Sequence, residues 1–528
     1  AMQDFLLNRI TLDDGRTNQN PDPAIHPDGN VFDLNNLFRG GDTVSNMTGV
    51  MDFAFSLYRI QPTQGADYTS LNPRTATPDD VGGNLKVASF NVLNYFTTLD
   101  NSGPICGPLA NQDCRGADNA TEFTRQRDKI IAALTAMDAD IVGLIEIENH
   151  PGDVPTADLV GGLNDVMGAG TYDYIATGAI GTDAIRVAFI YKPASVSPVG
   201  AYAILDSSVD SRFLDNFNRP VLAQTFQDNL TGGIFTTAVN HLKSKGSDCN
   251  AVDDPDTGDG SGNCNLTRKA AAEALVDWLA TDPTGSGDTD YLIIGDLNSY
   301  DKEDPIDAIM QGSDDTLGTD DDYTDLLFHF IGEFAYSFVF DGQLGYLDHA
   351  LASSNLMHQV TGATIWHINA DEPDLIDYDT TFKGPNQDAI YEPDAYRSSD
   401  HDPVIVGLEL LHYPFTGFFD PVANPPAFNE VKAGSGVPIK FSLGGDRGLD
   451  ILVPGYPKSK LISCETGDPI DGVEEAVTPG SSSLEYDPIL DEYTFVWKTQ
   501  KRWMNTCRQL TMQLIDGSVH IAYFKFTK

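Results

Sequence analysis

The chain has 528 residues, 41% of them hydrophobic, enough for two to four domains and a large core. No run of about 18 apolar residues occurs, which excludes an ordinary membrane-spanning helix. Asp plus Glu outnumber Lys plus Arg by 78 to 32, a formal charge of −46, so a polyanionic partner would need locally placed cations, bound divalent ions or a salty medium.

Six cysteines fall in three local pairs: Cys106 with Cys114, Cys249 with Cys264, and Cys464 with Cys507. The first two pairs flank polar loops rich in Gly, Asn and Asp. That reads as loop-closing disulfides in an oxidising, extracellular compartment, with six free cytosolic thiols as the competing reading. No C-x-x-C or Cys/His cluster supports zinc. The start, AMQDFLLNRI, has no basic region followed by an apolar run, as expected of a secreted chain that has lost its leader.

In chain order, residues 1–83 are loop-rich, with a strand-like run at 51–60 and a linker-like stretch at 70–84. From 84 to 411 strands alternate with helices. Strands are expected at 85–92, 141–147, 186–192, 234–241, 291–296, 347–353 and 403–410, and helices at 122–138 and 266–281. This pattern predicts α/β layers around one core. A Pro- and Gly-rich linker over 412–424 separates a C-terminal region, 425–528, whose short strands and turns read as a small β-sandwich stapled by Cys464 and Cys507.

Polar residues cluster at the ends of these strands: Asn91, Glu146 with Glu148, Asn240 with His241, Asp296 with Asn298, and Asp400 with His401. Each alone is an ordinary turn or cap residue. Together they offer carboxylate and amide oxygens for a hard cation, and groups to give and take protons at a phosphodiester. Local positive charge comes from Lys243 and Lys245 after His241, from Arg268 and Lys269, and from Arg125, Arg127 and Lys129; solvated helix ends are the plain alternative for each group. The loop 312–326 packs Asp314, Asp315, Asp320, Asp321 and Asp322 together, which suits Ca²⁺ and equally suits a plain acidic loop.

The segments SFNVLNY, GLIEIEN, NHLKSK, IIGDLNSY, YLDHAL and SSDHDPV occur in the order found in the endonuclease/exonuclease/phosphatase superfamily. Over roughly 84–411 the chain resembles that superfamily, and its wording resembles the bacterial extracellular, ExeM-like nucleases. The resemblance implies a DNase-like sandwich of two mixed β-sheets flanked by helices. It implies that Glu146, Asp400 and Asn91 ligate Mg²⁺ or Mn²⁺, with Glu148 as an alternative ligand. It further implies that His401 is the general base oriented by Asp348, that Asp296 and Asn298 position nucleophile and phosphate, and that His241 is the general acid or phosphate stabiliser. Asn240, Lys243, Lys245 and Arg268 are the expected substrate contacts. A pancreatic-type DNase pairs the equivalent of His241 with a Glu; here the matching position is Ile185, with Asp183 as a candidate substitute.

The N-terminal segment resembles the later part of an OB-like domain, expected to pack on the catalytic part. The C-terminal region resembles a PxKF-type accessory domain through PIKF at 438–441, where Trp497 or Trp503 would reach a polymer or cell surface only if exposed. The expected activity is a secreted bacterial nuclease acting on DNA or RNA. Its competitors are another phosphoesterase of the superfamily and an inactive surface-binding protein. No loop of obvious apolar, membrane-touching character is apparent, which weighs against a sphingomyelinase-like enzyme.

Overall fold

From Val87 to Val92 every side chain is buried, as in a strand covered on both faces. That strand, Leu85–Tyr95, belongs to a sheet running from edge to edge as Val360–Ile365, Val404–Leu408, Leu85–Tyr95, Ile141–Glu148, Ile185–Tyr191 and Asp173–Tyr174. A second sheet runs Val196–Leu205, Arg219–Asp228, Ile234–His241, Tyr291–Asp296, Asp348–Ser353 and Tyr323–Asp325. Each has one parallel central pair between antiparallel neighbours. The computed structural model describes residues 2–101, 103–476 and 484–528.

The sheets meet through Val87, Ile141, Ile145, Val187 and Phe189 on one side and Phe226, Val239, Leu292 and Ile294 on the other. Helices Ala120–Met137 and Val154–Met167 cover the outer face of the first sheet, and Asn265–Leu279 and Asp304–Met310 cover that of the second. The expected mixed α/β sandwich is therefore the architecture found. The Ala120–Met137 helix starts where the Asn119 side chain accepts from the amides of Thr121 and Glu122, and stops at left-handed Asp138. Its Ile130, Ile131, Leu134 and Met137 form the buried stripe. Val154–Met167 escapes the sequence pattern because Gly161 and Gly162 interrupt its helical period.

The run at 51–60 is not one strand. It forms a hairpin, Gly49–Ala54 with Leu57–Pro62, turning at Phe55 and Ser56, both at positive φ. That turn carries none of the Asn-Gly or Asp-Gly chemistry that marks such a reversal in sequence. The N-terminal segment packs on the two-sheet sandwich: Arg39 and Arg74 both pair with the buried Glu372, and Phe32 packs with Ile376 and Ile390.

After residue 413 a five-stranded and a three-stranded sheet enclose a separate core, with Trp497 against Trp503, Phe524 and Phe526. Both tryptophans are buried, so neither is an exposed platform for a polymer. All three expected cysteine pairs are disulfides.

This β-sandwich meets the far end of the second sheet, where Gly517 lies against both carboxylate oxygens of Asp290 and a cavity of about 580 Å³ opens between the two units. Asp288, Asp290 and Asp516 gather there with no Lys or Arg ion pair among the described residues, with Asp282 nearby and His520 on the Asp516 side. Burial, and then mutual repulsion, raises Asp288 from its ordinary 3.8 to about 7 and Asp290 well above the carboxylate range. A carboxyl whose folded pKa exceeds its unfolded one takes up a proton on folding. Its stabilising effect is intact below about 4 and lost as pH rises toward 7. The thermal midpoint is therefore expected to fall across that window, and Asp288→Asn to flatten the fall. An equally steep fall in the variant would refute this account.

Candidate active site

One row across the second sheet aligns Arg219 with His241, His241 with Asp296, and Asp296 with Asp348. Each of the last three is the terminal residue of its strand at the same sheet edge. Gly295 permits this crowding: its φ is 130°, and a Cβ there would lie 2.1 Å from the Asn240 carbonyl oxygen. From the first sheet come Asn91 and Glu146. Glu146 sits at φ 64°, where the strand's register with its neighbour shifts between Leu144 and Ile147. This bulge breaks the alternation that would have pointed Glu146 and Glu148 the same way.

The Asp296 Oδ2 atom is the centre of the group. It lies 3.4 Å from Asn91 Nδ2, 3.7 Å from His241 Nε2 and 3.9 Å from His401 Nε2. Glu146 Oε1 is 3.8 Å from the same His241 nitrogen. His401 Nδ1 hydrogen-bonds Asp348 at 2.7 Å, and Asp348 also accepts from Ser337 Oγ at 2.6 Å. The Phe338 ring lies over His401, 4.6 Å between centroids. The Asn298 amide donates to Asp296 Oδ1, while its side chain donates to the Leu242 carbonyl.

Burial opposes charge on His401, but Asp348, Asp400 and Asp296 outweigh it and hold the imidazole well above its usual pKa. His241 moves the other way. Burial and the nearby Arg219, His401, Arg115 and Lys243 depress it well below the usual range. Its two carboxylate neighbours do not reverse this, because burial raises Glu146 and also lifts Asp296, to about 7. These directions favour a protonated His401 and a neutral His241 while the carboxylates stand without a cation; a divalent ion among those carboxylates would oppose the charge on His401 and free it to accept a proton.

The donor set fits a hard divalent cation. Asp296, Asp348 and His401 place ligand atoms within 4.8 Å of one another, and Glu146 and Asp400 add unbalanced negative charge. Glu148 does not join them. Its carboxylate accepts from the backbone amides of Thr97 and Thr98, and a loop is what it holds.

Several other expected residues also turn elsewhere. Arg268 is buried and donates to the carbonyls of Lys243, Ser261 and Asn263 and to Ser299 Oγ, so it braces a loop. Lys245 pairs with Glu303, and Asn240 Nδ2 donates to backbone carbonyls. Arg125, Arg127 and Lys129 pair with Asp388, Asp158 and Asp394. Asp183 pairs with Arg115 and Arg219, leaving His241 Nδ1 buried with no partner among the described residues. In 312–326 the carboxylates of Asp314, Asp321 and Asp322 are taken up by loop amides and hydroxyls, and Asp320 by Lys458; among the described residues the loop forms no metal-binding group. Ser337, Phe338, Arg219 and Arg115 reach the site without a sequence signal beyond Arg219 heading a strand.

An apolar rim does border the site. Phe334, Phe340 and Leu344 are 84%, 66% and 63% exposed; the last two lie on the hairpin that begins with Phe338. The run FHFIGEFAYSFVF at 328–340 is rich in aromatics, but which of them stay exposed is decided by the fold.

Among solved structures, an endonuclease/exonuclease/phosphatase family protein from Bacteroides thetaiotaomicron is 18% identical, with 61% of this chain and 96% of that one covered, at a TM-score of 0.37. The human Nocturnin catalytic domain with bound sulfate is 16% identical, with 61% and 93% covered, at 0.34. Beta toxin from Staphylococcus aureus is 13% identical, with 62% and 100% covered, at 0.34. No curated protein matches the chain. The model of the Endonuclease/Exonuclease/phosphatase family matches residues 88–401, more than half of the chain and nearly all of the two-sheet sandwich. The chain belongs to the endonuclease/exonuclease/phosphatase family, whose members are hydrolytic phosphoesterases.

Proposed function

We propose that this is a secreted bacterial nuclease of the ExeM-like kind, cleaving phosphodiester bonds of extracellular DNA, and of RNA as a second substrate. The observation that carries the reading is the row Arg219, His241, Asp296 and Asp348, with His401 seated on Asp348 and Asn91 and Glu146 facing it. The Asp348 carboxylate orients His401 to take the proton from an attacking water. His241 faces the same space from the opposite side, where a hydrogen bond to the phosphate or its leaving oxygen is in reach. Glu146, Asp296 and Asp400, with Asn91, would hold Mg²⁺ or Mn²⁺. The ion supplies charge neutralisation at the phosphate when bound.

Lys243, Arg219 and Arg115 give positive charge beside a site in a strongly acidic protein, which favours a polyanion. Three disulfides support an oxidising compartment. The N-terminal segment, 1–83, is read as a partial OB-like unit that packs on the catalytic domain of 84–411. After the 412–424 linker, 425–528 is read as a PxKF-type sandwich.

Supercoiled plasmid, linear DNA and RNA incubated with Mg²⁺, with Mg²⁺ plus Ca²⁺, or with EDTA test the reading. Nicking of the plasmid that EDTA abolishes is the expected result; no cleavage under any metal condition would sink it. The exposed rim of Phe334, Phe340 and Leu344 favours a second reading, a phospholipid headgroup hydrolase working at a lipid surface. Headgroup release from sphingomyelin or phosphatidylcholine vesicles, in the absence of nucleic-acid cleavage, would establish that reading instead.

A further inference from the structure

We propose that Arg115, carried by the Cys106–Cys114 loop, grips together with Lys243 a second phosphate of a polynucleotide beside the scissile one, and that Asp183 is the residue that positions Arg115. This rests on the nuclease reading and narrows its substrate to chains bearing at least two phosphates.

The loop is firmly rooted. Cys106 and Cys114 are buried with Phe96, Ala184 and Ile185, and Gln112 Nε2 donates to the Thr182 carbonyl. Arg115 follows the second cysteine directly and is thereby delivered to Asp183. The Asp183 carboxylate divides its oxygens: Oδ1 accepts from Arg115 Nη2 at 3.2 Å and Oδ2 from Arg219 Nε at 2.9 Å. Arg219 continues toward the carbonyl of Leu242, the residue before Lys243. Lys243 is half-buried, near both arginines and Asp183, and forms no ion pair among the described residues.

Three cations thus share one carboxylate. This is anomalous in a chain with 78 acidic and 32 basic residues. Of the other basic side chains near these strand ends, Lys245 pairs with Glu303, and Arg268 is taken up by three carbonyls and the Ser299 hydroxyl. Asp183 alone cannot match all three, so Arg115 and Lys243 are left with charge to offer a phosphate set beside the catalytic row. Arg115 is also the member best placed to meet a ligand: its side chain is 40% exposed, against 8% for Arg219.

The test compares wild type, Arg115→Gln, Arg115→Lys and Asp183→Asn on an oligonucleotide and on bis(4-nitrophenyl) phosphate, a diester with one phosphate, over a range of salt. Arg115→Gln is expected to raise KM for the oligonucleotide about tenfold with kcat within about threefold. It should reduce the salt dependence of kcat/KM by about one phosphate contact and lower kcat/KM on the small diester several-fold less than on the oligonucleotide. Asp183→Asn should reproduce the KM rise, and Arg115→Lys should recover part of it. An unchanged KM and salt slope in Arg115→Gln, or an equal loss on the small diester, would overturn the subsite while leaving the nuclease reading standing. Wild-type protein that cleaves the small diester but no polynucleotide would remove both.

Discussion

His401→Ala is expected to lower kcat on DNA by at least about 10²-fold, the usual scale for losing acid–base catalysis at a positioned side chain. Asp348→Asn should approach the same loss with His401 still present. The reason is local. His401 is buried, its Nδ1 is fixed on Asp348 at 2.7 Å, and its Nε2 faces Asp296. An amide at 348 can turn its NH₂ toward that ring and favour the wrong tautomer. Rates are to be measured at saturating DNA, with thermal melts alongside and the exposed His358→Ala as a control away from the site. Near-normal rates in both His401→Ala and Asp348→Asn would mean that the proton is taken elsewhere.

Arg268→Ala is expected to cost about 3–5 kcal/mol of stability, because each buried acceptor left unsatisfied costs about 1–3 kcal/mol and water entering the space offsets only part of that. Its guanidinium serves three carbonyls and one hydroxyl, and these lie on the segment after His241, on the loop closed by Cys249–Cys264 and on the turn after Asp296. Arg268→Lys should recover little, since an ammonium cannot reach this fork of acceptors. Urea unfolding provides the measurement. A variant of normal stability with a raised KM for DNA would return Arg268 to the substrate-binding surface.

The strand ends were legible because a buried parallel pair such as Leu85–Tyr95 and Ile141–Glu148 is nearly all apolar, so the first polar residue marks its exit from the core. Glu146 and Asp296 stand out for that reason, whereas Ser89 precedes Asn91, and two threonines and Asn240 precede His241, so those two rest on the order of the motifs. Side-chain direction was not legible. Arg268 begins a helix and reads as a solvated end, yet the disulfide loop folds over it. Asp183 is near Ile185 in sequence, but its partner Arg219 is 36 positions away and arrives through a strand without a simple apolar alternation. The bulge that parts Glu146 from Glu148 depends on a positive φ at a glutamate, which no residue preference announces. The apolar rim is not legible because burial decides which members of an aromatic-rich stretch stay exposed, and only Phe340 and Leu344 are set together by the short hairpin at 338–345.

Gly143 lies in the seam between the two sheets, three residues before Glu146. A Cβ there would come within 2.7 Å of the Ile294 side chain and 3.0 Å of Val239, which stand two residues before Asp296 and His241. The thickness of this hydrocarbon seam therefore works as the gauge block of the enzyme. It sets how far the half of the site borne by one sheet stands from the half borne by the other. Since a misplacement of about 1 Å can cost about 10²-fold in rate, a single methyl group added in the dry interior would be read out as lost turnover at the rim, though no catalytic atom had been touched. The outer helices are free to drift in sequence as long as they stay apolar toward the sheets, whereas the two inner faces must change together or not at all.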